Sequence, residues 1–241
     1  MIVLFSDFGS AGPYVGQMRA VLVRAAPDVP VIELFSDAPA FNAKASAYLL
    51  AAYCAEFEPG TVFLAVVDPG VGGPREAIAL EADGRWYVAP DNGLLAVLAR
   101  RADAAQWWRI TWRPEALSSS FHGRDLFAPV VARLARGESL PGEADDGGNR
   151  IGGDWPDDLA QVIYIDHFGN AMTGLRAARL GPDARIKLGG TELDRARTFS
   201  DLPKGAAFWY ENANGLAEIA VNGGRAEEAL GLSVGMNVEV V

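Results

Sequence analysis

Polar clusters that could do chemistry sit at the ends of apolar runs in this chain: Ser6-Asp7-Phe8-Gly9, Asp68-Pro69-Gly70-Val71-Gly72-Gly73-Pro74-Arg75, Pro90-Asp91-Asn92-Gly93, Phe121-His122-Gly123-Arg124-Asp125 and Asp166-His167-Phe168-Gly169-Asn170. Their residue types suit work on a polar small molecule. A carboxylate accepts bonds from hydroxyls or an ammonium, an amide both donates and accepts, and a guanidinium stays cationic. Imidazole, with a free pKa of about 6.5, gains and loses a proton near neutrality. Each cluster also has a structural reading. Asp7 could cap the turn that follows it, and Asp91-Asn92-Gly93 could be a turn leading into a helix.

Several chemistries are disfavoured. Gly70, Gly72 and Gly73 fit no phosphate-binding pattern: no Gly-x-Gly-x-x-Gly opens a helix and no Gly-Lys-Ser/Thr follows, so a nucleotide di- or triphosphate is not expected. The two histidines, His122 and His167, lie in unrelated segments, and the single cysteine excludes both an internal disulfide and a Cys-rich zinc site. No resident metal or cofactor is expected. Cys54 sits in the apolar run Ala51 to Ala55 and reads as packing. Ser118-Ser119-Ser120 precedes His122, but there is no Gly-x-Ser-x-Gly elbow for a serine hydrolase.

Composition narrows the partners. Lys and Arg number 21 against 31 Asp and Glu, a net charge of −10, which suits a cationic or neutral ligand and not a nucleic-acid backbone. Half the residues are hydrophobic and 22% are charged, enough for a buried core. No apolar stretch reaches the ~18 residues of a membrane span. Met1 to Asp7 lacks the basic start and cleavage site of a signal peptide, so a cytoplasmic location is expected.

These clusters need elements to hold them. At roughly 150 residues per domain, 241 residues make one large domain or two smaller ones. Met1 to Phe5, Val29 to Phe35 and Thr61 to Val67 read as buried strands, and Ile78 to Leu80 with Trp86 to Ala89 as a pair around Asp83-Gly84. Pro13 opens a helix with Val15, Met18, Leu22 and Ala25 at helical spacing; Asn42 N-caps another through Tyr53. Gly93 to Arg101 and Phe127 to Arg136 complete the helices. Strands alternating with helices predict a mostly parallel sheet sandwiched by helices over residues 1–145. The clusters would then lie at strand ends, where open α/β sheets bind ligands. From Gly137 to Asp158 the chain holds six Gly and seven Asp or Glu and reads as a linker or long surface loop. Beyond it, Gln161 to Ile165, Arg185 to Leu188, Ala207 to Tyr210, Leu216 to Val221 and Met236 to Val241 predict a smaller all-β, barrel-like domain over 159–241.

Taken in order, the motifs resemble a known family. Phe5 to Gly9, Val67 to Gly72 with Arg75, Ala89 to Gly93, Phe121 to Asp125, Ile165 to Asn170 and Glu218-Ile219-Ala220-Val221-Asn222 are similar to those of the S-adenosylmethionine hydroxide adenosyltransferases, relatives of the fluorinase and chlorinase nucleophilic halogenases. The resemblance spans nearly the whole chain. It implies attack of water, delivered as hydroxide, on the ribose C5′ of S-adenosylmethionine, giving adenosine and methionine with no cofactor. It implies an Asp-Arg-His set at Asp68, Arg75 and His122, with His accepting or sharing the water's proton and Arg stabilising the developing hydroxide.

For binding, the resemblance implies Asp7 on the ribose hydroxyls, Asp166 on the methionine ammonium, Phe168 beside the adenine and Asn170 on its polar edge. The strand ending at Asn222 would lie near the adenine. It also implies a homotrimer, with each site between the N-terminal domain of one subunit and the C-terminal domain of its neighbour. There are departures. Gly174 stands where Asn is common, and Ala213-Asn214 stands where the halogenases carry a Ser-Arg pair for the methionine carboxylate.

Two other readings remain. A halogenase would lack Arg75, would carry Tyr and Ser in place of His122 and Gly123, and, in the fluorinase, would have a long insertion before Pro90. A non-catalytic adenosine or S-adenosylmethionine sensor would have no use for the Asp68, Arg75 and His122 set.

Overall fold

The computed structural model describes residues 1–148 and 150–241. The chain divides into two compact units, Met1–Trp155 and Pro156–Val241.

The first unit runs β1 (Ile2–Ser6), α1 (Tyr14–Ala25), β2 (Val31–Phe35), α2 (Ala43–Tyr53), β3 (Val62–Val66), β4 (Ala77–Ala82), β5 (Arg85–Pro90), α3 (Ala96–Arg101), β6 (Ala105–Ile110), α4 (Ala128–Ala135) and β7 (Gly142–Asp145). One seven-stranded sheet has the order β2-β1-β3-β5-β4-β6-β7. The pairs β2-β1, β1-β3 and β3-β5 are parallel; β4, β6 and β7 join by antiparallel pairing. β1 (Ile-Val-Leu-Phe-Ser) and β3 (Val-Phe-Leu-Ala-Val) are buried throughout, as strands covered on both faces must be. Ile2 and Leu4 of β1 with Val62, Leu64 and Val66 of β3 pack against Met18 and Leu22 of α1 and Val130, Val131 and Leu134 of α4. The alternate residues turn to the other face, where Phe5 meets Phe35 edge-on and Phe63 stacks on Tyr87.

Local signals set several boundaries. Pro13 immediately precedes α1, and the Asn42 side chain accepts a 3.0 Å bond from the Ala45 amide at the start of α2. Two helices are shorter than their apolar pattern. The helix after Gly93 begins only at Ala96, and α4 is entered through a π-helical turn, Gly123–Phe127.

Gly137 to Asp158 is not a free linker over most of its length. β7 lies within it and pairs with β6 at the sheet edge. Arg150 is pinned between Asp91 (2.5 Å) and Asp145 (2.7 Å), with its guanidinium over the Trp107 ring. Arg100 donates to the Trp155 and Gly152 carbonyls. Glycines and acids have the composition of a linker, but here the acids meet arginines distant in sequence. The break between units falls after Trp155.

The second unit comprises β8 (Leu159–Ile165), β9 (Ala171–Arg176), β10 (Ile186–Leu188), β11 (Thr191–Leu193), β12 (Ala207–Glu211), β13 (Leu216–Val221), a short helix α5 (Ala226–Leu230) and β14 (Glu239–Val240). Its sheets are β12-β13-β9-β8 and β11-β10-β14, all antiparallel. Bridges Gln161–Asn237 and Arg195–Trp209 link them at both edges, so the strands close on themselves around Val162, Leu175, Ile186, Leu193, Trp209, Ile219 and Val238. The expected strand Met236 to Val241 is paired as β14 only at Glu239–Val240. Among the described residues no helix is long and apolar enough to cross a membrane.

Candidate active site

In the first unit, Asp68 and Arg75 flank a glycine-rich loop that follows β3. The loop folds back so that Arg75 Nε donates to Asp68 Oδ1 at 2.9 Å and Nη2 donates to Asp68 Oδ2, a bidentate pair with little exposure. Gly72 makes this return possible. Its φ is +77°, and a Cβ there would lie 2.3 Å from the Ser119 carbonyl oxygen, so no other residue fits. The facing 118–121 loop is held by Asp125, which accepts from the Ser118 amide at 3.0 Å and pairs with Arg124. The Arg124 bond holds the Asp125 carboxyl below the usual carboxylate range. Two loops far apart in sequence are thereby clamped together, which brings His122 to Arg75.

That contact fixes the state of the histidine. Arg75 Nη2 lies 3.0 Å from His122 Nδ1. A guanidinium only donates, so Nδ1 must accept, and the ring is neutral with its hydrogen on Nε2. Burial, then the neighbouring Arg75 charge, push the His122 pKa below its usual 6.5, which agrees with a neutral ring. Phe127 lies under the Arg75 guanidinium, 5.3 Å from the ring centroid. The set therefore presents donors: guanidinium N–H groups held by Asp68, and the Nε2–H of His122. Donors of this kind favour hydroxide over water.

Asp7 follows β1. Its Oδ2 accepts a 2.9 Å bond from the amide of Phe41, an exposed residue with a left-handed backbone at φ +58°. Burial, assisted by the Asp68 charge, raises the Asp7 pKa. Asp91 and Asn92 are structural. Asp91 is bound by Arg150, and Asn92 Nδ2 donates to the Val67 carbonyl at 2.8 Å, steadying the end of β3 just before Asp68.

In the second unit, Asp166 and Asn170 form one compact turn after β8. Asp166 Oδ1 accepts from the Asn170 amide at 2.8 Å, and Oδ2 from Asn170 Nδ2 at 3.2 Å. Gly169, at φ +82°, closes the turn. Beside it is an open groove of about 710 Å³ lined by Asp166, Phe168, Asn170, Phe199, Tyr210, Val221 and Arg225. Phe168 is 70% exposed. An exposed aromatic ring beside an amide and a carboxylate suits a flat heterocycle with a polar edge. Asn222 is placed differently from the others. Its Nδ2 donates to the Leu202 carbonyl at 2.7 Å, so the side chain serves the barrel, next to groove residues Val221 and Gly223.

The structure thus joins Asp68, Arg75 and His122 in one cluster and Asp166, Phe168 and Asn170 in another. Sequence reasoning missed Phe199, Tyr210 and Arg225 as groove residues and gave no role of its own to Glu218, which binds Tyr210 from within the last of the family motifs. The aromatic alternation of Ala207–Glu211 was a signal for Tyr210; none pointed to Arg225.

A parallel-sheet unit with an Asp-Arg-His cluster beyond a strand end, followed by a small closed β unit carrying an aromatic groove, defines a class of two-unit α/β-plus-β proteins with ligand chemistry in its loops. The SAM hydroxide adenosyltransferase N-terminal domain model matches residues 2–142, and the C-terminal domain model of that family matches residues 160–239. The chain belongs to the SAM hydroxide adenosyltransferase family. It is 39% identical to the (R)-S-adenosyl-L-methionine hydrolase of Thermus thermophilus over 100% of this chain and 99% of that protein. It is 37% identical to the protein of that name from Salinispora arenicola, over 98% and 95%. A fluorinase of Nocardia brasiliensis is more distant at 26%, over 100% and 96%. The crystal structure of an uncharacterized conserved protein from Thermotoga maritima superimposes with a TM-score of 0.87 at 32% identity, covering 100% of this chain and 99% of that one.

Proposed function

We propose that this protein hydrolyses (R)-S-adenosyl-L-methionine to adenosine and L-methionine. The observation that carries the reading is the Arg75 guanidinium held by Asp68 and touching His122, in a chain whose similar relatives are named as hydrolases of that sulfonium epimer. The sulfonium is already a good leaving group, so no acid is needed. What is needed is a competent oxygen nucleophile at neutral pH. Arg75 and the Nε2–H of His122 bind a water and stabilise it as hydroxide, and its proton passes to solvent. The oxygen forms the bond to C5′ as the C5′–S bond breaks, and methionine departs with the electron pair as a neutral thioether. With Nδ1 accepting from Arg75, His122 acts as a donor to the nucleophile and not as the base that accepts its proton.

In this reading Asp7 takes the ribose hydroxyls, Asp166 the ammonium, and Phe168 and Asn170 the adenine, while Asn222 contributes its backbone. The protein works as a homotrimer in which neighbouring subunits complete each site. Support for this comes from the family resemblance and from the division of the motifs between two units.

Product chromatography tests the reaction. Adenosine and methionine are expected, with oxygen from labelled water at O5′ and the (S) epimer left in an epimer mixture. A 5′-halo-adenosine in the presence of halide would favour a halogenase, and unchanged ligand a sensor. Mixing Asp7→Ala chains with Asp166→Ala chains tests the assembly: mixed trimers regain activity, whereas a fully active monomer in light scattering rejects it.

A further inference from the structure

Glu218 lies on β13, 2% exposed, directly across the ladder from Tyr210 of β12. Its Oε1 accepts the Tyr210 hydroxyl at 2.7 Å and its Oε2 accepts Asn212 Nδ2 at 2.8 Å. Among the described residues no lysine or arginine forms an ion pair with it, an unusual situation for a buried carboxyl. The orientation of Asn212 is not free. Its Oδ1 already accepts the Asn214 and Leu216 amides, each at 3.0 Å, so its NH₂ must face Glu218 and Oε2 must be an acceptor. The Tyr210 hydroxyl is the donor in the 2.7 Å contact, so Oε1 also accepts. The phenolic proton of Tyr210 is then committed inward, and whatever its oxygen meets in the groove it meets as an acceptor.

We infer that Glu218 is a positioning residue which, through Tyr210, makes the wall of this groove accept from a hydrogen-bond donor on the ligand, and so favours a 6-aminopurine nucleoside over its 6-oxo counterpart. This rests on the nucleoside reading above. Its consequence is specific to one substitution. In Glu218→Gln the amide oxygen must face Asn212, which turns the NH₂ toward Tyr210. Tyr210 then accepts from Gln and turns its own proton into the groove, reversing the polarity of the wall.

The test is calorimetric binding of adenosine and of inosine to the full chain. The wild type should prefer adenosine. Glu218→Gln should lower that preference about tenfold, the scale of one hydrogen bond made wrong. Tyr210→Phe should lower the preference by less than Glu218→Gln does, and adding Glu218→Gln to Tyr210→Phe should change nothing more. Circular dichroism checks folding. If Glu218→Gln does not fold, Tyr210→Phe alone decides: an unchanged adenosine-to-inosine ratio overturns the inference. An unchanged ratio in folded Glu218→Gln, or additive effects in the double variant, also overturns it while leaving the nucleoside reading intact. Failure of the wild type to bind either nucleoside defeats both.

Discussion

The two polar clusters handle charge in opposite ways. In Met1–Trp155 three carboxylates have guanidinium partners, Asp68 with Arg75, Asp125 with Arg124 and Asp91 with Arg150, while Asp7 accepts a backbone bond from Phe41. In Pro156–Val241, Asp166 and Glu218 are held by an amide, a phenol and backbone, with no ion pair to either among the described residues. Burial raises the Glu218 pKa, and the Asp166 charge adds to it. A balanced cluster is rigid without ligand and suits the handling of a nucleophile. An unbalanced one is completed by a cation from outside, and a substrate carrying an ammonium and a sulfonium supplies it. The difference predicts that damage to the first cluster is felt in the chemical step and damage to the second in binding.

The sharpest way to break this contrast is to truncate the first cluster. Arg75→Ala and His122→Ala should each lower kcat by roughly 10²-fold or more, the usual scale for groups acting on the transition state, with less than about tenfold change in substrate affinity. Near wild-type kcat in either variant removes that residue from the mechanism. Asp166→Ala should show the reverse balance, weakening substrate by about tenfold to a hundredfold, as loss of a charged hydrogen bond does, with a smaller change in saturated rate. Calorimetry against saturation kinetics separates the two outcomes.

A gentler probe is pH. The His122 pKa is lowered from 6.5 by burial and by Arg75, so the ring is neutral at pH 7 and takes its second proton only as pH falls below 6.5. Protonation on Nδ1 sets two cations against each other and breaks the 3.0 Å contact. Rate should therefore decline on the acid side with a midpoint below 6.5. The two histidines make the NMR titration readable, and in Arg75→Ala the His122 midpoint should move up. A midpoint that stays put would mean the Arg75 contact does not set the state of the ring. The smallest effect concerns scaffolding. Asp91→Asn loosens Arg150 and should cost about 1–3 kcal/mol in urea unfolding while leaving substrate affinity unchanged.

Much of the framework was readable from residue order because its causes are local. Continuous apolar runs specify β1 and β3, and Asn42 caps α2 through a bond that spans three residues. The Asp-Arg pairing around the glycine loop closes over seven positions, and the Asp166–Asn170 turn over four. The partners in each of these contacts lie within seven positions of one another. β6 was missed because Ala-Gln-Trp-Trp-Arg-Ile alternates weakly, and β7 because acids and glycines look like a linker until Arg109 and Arg150 are known to face them.

The sequence by itself therefore determined the family motifs, their order, and the side chains available at each strand end. Tertiary structure decided which of them touch and in what protonation state. Arg75 and His122 are 47 positions apart, and only the clamp of Gly72 against Ser119 makes them neighbours and forces the imidazole tautomer. Cross-strand register alone sets Glu218 against Tyr210, and the same barrel turns Asn222 toward Leu202. The reason is physical. Periodicity and caps are written in neighbouring residues, but a hydrogen bond between distant segments depends on loop closure and strand register, which the packed core fixes.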